Sequence, residues 1–321
     1  MSQAKGAVAP IRVGTSGWSY PSGEGTWKGI FYPEKRPKGF NELAFYAEHF
    51  DTVEVNSTYY RLPEEELVAK WAERIPEGFV MHVKAFGMMT RHPVKADVLP
   101  PELRDAAPVD ERGRIDRPPR ELRSEVFARF HAALEPLRSA GKLGGILLQF
   151  PSYVVCKPAS FEYIAWAKEE LRGDHPMVEF RHRSWLEEEN RAQVFSFLED
   201  IGATYVVVDA PKTDAKNLVP TVFARTSPIV YMRTHGRNAE TWNVRGRSAA
   251  ERFDYLYSEE ELRELVLAVR ELASDAQEAY VMFNNNGRSR ATGNGHSERD
   301  GWISQAPTNA LMLQKVLGEG S

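Results

Sequence analysis

Residues Met177–Trp185, MVEFRHRSW, decide how this chain is to be read. The segment begins with strand periodicity: Val178 and Phe180 fall on one face, Glu179 and Arg181 on the other. An acid and a guanidinium side by side on a strand face are costly to bury unless each has a partner. The segment therefore requires either an ion-paired plug or a ligand site.

Working outward, seven more short apolar runs share its character: Ile11–Thr15, Thr52–Asn56, Phe79–Ala85, Gly145–Phe150, Thr204–Asp209, Ile229–His235 and Tyr280–Asn284. Helical segments alternate with the eight runs and are clearest at Asn41–Phe50, Glu64–Glu73, Arg123–Ala140, Phe161–Leu171, Glu187–Ile201, Glu259–Ala273 and Thr308–Leu317. Ser258 and Glu261 have the spacing of a capping box, and Gly202 stands just past a helix end. Eight strands alternating with helices in 321 residues predict an α/β fold, a (β/α)8 TIM barrel. The doubly wound sheet is the competitor. Gly14-Thr15-Ser16-Gly17 after the first strand has neither GxGxxG spacing nor the GxSxG of a nucleophile elbow, so Gly14 and Gly17 are read as turn glycines. The expected organisation is a flexible tail over 1–10 and one domain over 11–318. Long loops follow strands 3, 7 and 8, with excursions at 88–120 and 284–305.

A net charge of -4 and a pI near 6.1 argue against whole-surface attraction to nucleic acid or anionic lipid, so an anion site must be local. The single cysteine, Cys156, excludes an intrachain disulfide and has no base or second thiol beside it; it reads as inert. The first ten residues lack the apolar core of a signal peptide and no run is long enough to span a bilayer, so a soluble cytoplasmic protein without a membrane partner is expected.

In a barrel, alternate side chains point inward, and those near the C-terminal strand ends line the mouth where chemistry is kept. That position holds Ser16, Glu54, Asn56, His82, Lys84, Gln149, Glu179, Arg181, Asp209, Tyr231, Arg233, His235 and Asn284, whereas their neighbours are mostly Val, Ile or Leu. Glu54, Glu179, Asp209 and His235 are the acid/base candidates. Asn56, Lys84, Gln149, Arg181, Tyr231, Arg233, Arg237, Asn284 and Asn285 are the candidates for binding. Trp18, Tyr20, Tyr59 and Trp185 follow strand ends and suit stacking on a sugar ring or nucleobase, as do Trp27, Tyr32, Tyr60 and Trp242; packing of long loops would use the same rings. His92 and His182 read as loop histidines without special roles.

Three chemistries compete for this set. An anion site would use Lys84, Arg181 and Arg233 with Arg237, Arg288 and Arg290, since loops after the last barrel strands recurrently hold phosphate. A divalent metal could draw on Glu54, Glu179, Asp209 and His235; three cations in the same layer oppose it, and neither HxxxH nor clustered cysteines occur, so no cofactor is expected. Metal-free acid/base catalysis by a carboxylate pair is the third. Beside these stands a structural network in which the three acids only neutralise the cations: tight pairing without a cavity would favour it, an open pocket the ligand site.

GTSGWSY (14–20), FYP (31–33), VEVNSTYYRLP (53–63), KLGGILLQFP (142–151), VEFRHRSW (178–185), YMRTHGR (231–237), FNNN (283–286) and APTNA (306–310) resemble, in order, the landmarks of the YecE-like family, domain of unknown function 72. The resemblance implies a single-domain TIM barrel and, for most members, no established activity. That barrel is similar to those of endonuclease IV and xylose isomerase type, whose metal ligands have too few histidine counterparts here. The link from FNN to the Ala-Pro-x-Asn-Ala helix is longer than the family pattern, an insertion over 287–305. The leading expectation is an enzyme of hydrolase, lyase or isomerase type acting on a phosphate-bearing sugar or nucleotide-like anion. The alternatives are a non-catalytic nucleic-acid-binding protein and a metal-dependent hydrolase or isomerase.

Overall fold

Runs of β-branched and apolar residues too short for helices pair side by side, and the strands they form close on themselves. The structure, a computed structural model, describes residues 9–319 except 21, 24, 106, 243, 245–248 and 291–300. Its main strands are β1 (Ile11–Thr15), β2 (Thr52–Val55), β3 (Val80–Lys84), β4 (Leu143–Gln149), β5 (Pro176–Glu179), β6 (Thr204–Asp209), β7 (Ile229–Thr234) and β8 (Glu278–Phe283). All pair in parallel in the order β1-β8-β7-β6-β5-β4-β3-β2, and a parallel bridge between Ser16 and Glu54 brings β1 back to β2. Eight parallel strands with helices between them thus form a nearly closed barrel, the predicted fold class.

Gly14 is a strand residue rather than the turn glycine expected. A Cβ there would lie 2.3 Å from the Thr52 carbonyl oxygen, so the bare backbone is what lets β1 approach β2. Gly17 does turn, with φ +100°.

Helices cover the outward strand residues. Glu259–Ala273 begins with the predicted capping box between Ser258 and Glu261 and buries Leu262, Leu265, Val266, Val269 and Ala273 at helical spacing. Gly202, at φ +66°, follows the helix Glu188–Asp200 as its stop. The 88–120 excursion carries an antiparallel pair, Val94–Lys95 with Arg114–Ile115, and buries Leu99, Leu103 and Ile115 in the main core, so it is pinned to the barrel. Arg288–Arg290 pairs with Trp302–Ser304 at the root of the 284–305 excursion; residues 291–300 of that insertion lie outside the described residues. Of the tail expected over 1–10, residues 1–8 also lie outside them. Ala9 is buried, its amide donating to the Ala273 carbonyl at 3.0 Å, and the Pro10 carbonyl accepts from the Ala279 amide, so residues 9–10 are bonded to the barrel.

Candidate functional site

The period of two in each strand turns Glu54, Lys84, Gln149, Glu179 and Arg233 toward the interior at one end of the barrel, and Arg181 follows one step past β5. Arg233, 1% exposed, sits between two carboxylates that are fully buried. Its Nη2 donates to Glu54 Oε1 at 2.7 Å, its Nη1 donates to Glu179 Oε2, and Ser16 Oγ lies 3.4 Å from Nη2. Glu54 Oε2 accepts from the Tyr231 hydroxyl at 2.9 Å. Glu179 Oε1 pairs with Arg181 Nε and lies 3.4 Å from His235 Nε2, and His235 Nδ1 meets the Asn284 amide at 2.8 Å.

The charges follow from these contacts. Burial alone would raise the Glu179 carboxyl, but Arg181 and Arg233 hold it well below the usual carboxylate range. Burial works against the Arg233 cation, yet Glu179 and Glu54 raise its pKa above the ordinary arginine value. Burial, then Arg181, pushes His235 down to about 3, so its imidazole is neutral at physiological pH.

Above this layer opens a cleft of about 950 Å³. Lys84, Arg181 and Arg233 form its floor, Asn56, Asn284 and Asn286 add amides, and Trp18, Tyr20, Tyr59, Tyr60, Trp242 and Phe253 form much of its wall. No Asp or Glu is among the described residues that line it. Three cations converge on one neutral oxygen, Gln149 Oε1: Lys84 Nζ at 3.0 Å, Arg181 Nη2 at 3.3 Å and Arg233 Nη1 at 3.4 Å. An amide oxygen offers two lone pairs; Arg181 Nη2 also lies 3.0 Å from His235 Nε2, and the counter-charges of the arginines are Glu54 and Glu179, so the floor carries three cations against two carboxylates. Among the described residues no group of three or more His, Cys, Asp or Glu side chains is placed to hold a metal ion, and no helix is long and apolar enough to cross a membrane.

The model of the family described as "Protein of unknown function DUF72" matches residues 12–320. The chain belongs to the DUF72 family. It is 31% identical over 290 residues to the UPF0759 protein YunF of Bacillus subtilis (strain 168), covering 89% of this chain and 92% of that protein. Two solved DUF72 structures are similar throughout. That from Enterococcus faecalis V583 has a TM-score of 0.73 at 25% identity, covering 96% of each chain; that from Thermotoga maritima MSB8 has 0.69 at 32% identity, covering 96% of this chain and 99% of the other.

Within this DUF72 barrel the predicted residues divide into three groups. Trp18, Tyr20, Asn56, Tyr59, Lys84, Gln149, Arg181, Arg233 and Asn284 line the cleft. Glu54, Glu179, Tyr231 and His235 lie beneath it, fully buried and outside its lining: Glu54, Glu179 and His235 meet the arginines, and Tyr231 bonds Glu54. The rest stand elsewhere. Asp209 and Arg237 form a separate cluster beside a second cavity: the Arg237 fork meets both Asp209 oxygens at 3.0 Å, and the Tyr257 hydroxyl donates to Oδ2 at 2.6 Å. Asn285 is a buried strut, donating to the Tyr255 carbonyl and to Asn309 Oδ1. Trp185 is no wall of the cleft. It is buried, stacked on Phe180 with ring centroids 4.2 Å apart, and its indole N–H donates to the Val154 carbonyl at 2.7 Å. Trp27 and Tyr32 are core residues as well.

Arg288 lies over the Trp302 ring, 4.3 Å from its centroid, and is not among the lining residues; the side chain of Arg290 lies outside the described residues. His92, read from sequence as a plain loop residue, does line the cleft, packed edge-on to Tyr59 and bonded to Thr90 Oγ1 at 2.9 Å. Arg252 and Phe253, which also line it, come from the loop after β7 and carry no periodic signal.

Proposed function

We propose that the protein is an enzyme whose cleft binds a phosphate-bearing sugar or nucleotide-like anion on Lys84, Arg181 and Arg233. The convergence of these three cations on Gln149 Oε1 carries the reading. A ligand presenting several charged oxygens supplies the negative charge this floor lacks, and Arg forks match phosphate geometry. The cleft volume, about 950 Å³, suits a small molecule, and the aromatic wall offers faces to a sugar ring or base. Glu54 and Glu179 serve as anchors: both hold Arg233 and Glu179 also holds Arg181, so the two guanidinium groups are fixed before a ligand arrives. Glu179, held ionised far below its ordinary range although burial opposes it, is a poor proton acceptor at neutral pH.

Titration with glucose 6-phosphate and with glucose, followed by calorimetry and by the fluorescence of Trp18 and Trp242, tests this. The phosphate ester should bind at least about tenfold tighter, the minimum expected from one charge-assisted hydrogen bond, and Arg181→Met should remove most of that preference. Equal affinity for the two, or binding of neither glucose 6-phosphate nor inorganic phosphate, argues against it. A nucleic-acid ligand would show itself by an affinity for single strands that falls steeply as salt rises.

A further inference from the structure

Lys84 differs from its two cationic neighbours. Arg181 and Arg233 each meet a buried carboxylate, whereas the Lys84 ammonium has Gln149 Oε1 at 3.0 Å and the face of Tyr59, 4.5 Å from the ring centroid. Among the described residues no carboxylate lies within ion-pair distance of it. As the last residue of β3, Lys84 brings its Nζ to the cleft floor, within two hydrogen-bond lengths of both guanidinium groups through their shared acceptor. A lysine with permanent cations beside it and no counter-ion of its own is arranged to lose its proton, and a neutral amine on a rigid strand end is a nucleophile.

We infer that Lys84 forms an imine with the carbonyl carbon of an anionic aldehyde or ketone whose phosphate or carboxylate is held by Arg181 and Arg233. The inference rests on the anion reading of the cleft and adds the reaction. The Nζ lone pair attacks the carbonyl carbon; both amine hydrogens leave with the carbonyl oxygen as water; a C=N bond replaces the C=O bond, and no oxidant or reductant is consumed. Protonated, the imine withdraws electrons from the adjacent carbon, which is the chemistry of lyases and isomerases that break or shift bonds next to a carbonyl.

The charge balance agrees. Burial, then Arg233, lowers the Lys84 pKa to about 7, while Glu179 and Glu54 behind the arginines oppose the shift. The groups facing the amine are Arg181, Arg233, His92 and Tyr59, with Glu54 and Glu179 one layer below. Burial, then Lys84 itself, pushes His92 down to about 3, and burial pushes Tyr59 up to about 12, so neither changes charge near neutrality. Raising the pH through about 7 therefore frees the amine, whereas an ordinary surface lysine needs about pH 10.4.

The full-length protein is incubated with dihydroxyacetone phosphate and sodium cyanoborohydride, in parallel with dihydroxyacetone, and the adduct is located by peptide mass mapping. Lys84 should gain the mass of the probe less one oxygen, about tenfold or more faster with the phosphate ester. The labelling rate should be half-maximal near pH 7, and inorganic phosphate should protect. Lys84→Arg, with folding checked by thermal melting, should abolish the adduct. Labelling spread over surface lysines without preference for Lys84, or undiminished in the variant, overturns the imine. Binding of inorganic phosphate is measured separately by calorimetry on the wild-type protein. Phosphate that binds while Lys84 stays unlabelled overturns the imine and leaves the anion site standing. Equal labelling of Lys84 by both probes without phosphate binding overturns the anion site and the anionic substrate together, leaving only a reactive amine at Lys84.

Discussion

Replacing Arg233 by Met removes the cation that links the two buried carboxylates while leaving a side chain of similar length. Glu179 keeps Arg181, but Glu54 keeps only the Tyr231 hydroxyl at 2.9 Å and becomes a charge with no cationic partner. Arg233 is 1% exposed and both acids are fully buried, so solvent screens little of the loss. Orphaning one member of a buried pair costs about 3–5 kcal/mol. At about 2.1 cal/mol/K of unfolding entropy per residue, a chain of 321 residues has about 0.7 kcal/mol/K, which puts the fall in Tm at about 4–7 °C. Thermal melts and urea titrations measure it, and the second cycle arm, Glu54→Gln in the Arg233→Met background, should recover about 1–3 kcal/mol by removing the stranded charge. A loss under about 1 kcal/mol, together with coupling under about 0.5 kcal/mol, would refute the idea that these groups form one ion network.

Other perturbations separate the core from the cleft. Trp185→Ala should cost about 3–5 kcal/mol in urea unfolding and leave phosphate affinity unchanged, because the ring packs on Phe180 away from the lining. A weakened affinity with little loss of stability would restore it to the site. Gly14→Ala drives a methyl against the Thr52 carbonyl and should destabilise by about 1–3 kcal/mol or more, read as a lower urea midpoint; an unchanged midpoint would show that the β1–β2 seam can open at no cost. The Glu179 carboxyl is lower in the folded protein than the unfolded value of about 4.3, so its contribution is complete above about pH 4.3 and is lost as pH falls through the folded value. Urea midpoints from pH 7 downward should therefore decline only in acid, and Glu179→Gln should flatten that decline.

The barrel was legible because each strand is a short apolar run bounded by turns, and the runs alternate with helices at a spacing that few folds accommodate. Glu54, Lys84, Gln149 and Arg233 were legible for the same reason: the strand period of two fixes which way a side chain points. What the period does not carry is depth. Glu179 and Arg181 share a face, but one lies under the floor and the other forms it. Asp209 ends β6 in the same phase as the rest, and its partners Arg237 and Tyr257 come from the loop after β7, a pairing set by loop path alone. The tryptophans make the point from the other side. Trp185 folds back onto Phe180 through the 3-10 turn Arg183–Trp185, whereas Trp242 turns into the cleft; both follow strand ends, and only tertiary packing distinguishes them. The ion network and the open pocket, set against each other in the sequence, both occur, in successive layers: the carboxylates are paired, and an open cationic cleft lies above them.

The most direct test is to soak crystals grown without sulfate or phosphate in selenate and map the anomalous signal. The anion reading predicts a peak within hydrogen-bond reach of Lys84 Nζ and of at least one of the Arg181 and Arg233 guanidinium groups. Selenate found only on the outer surface, with the cleft free of anomalous density, would contradict it.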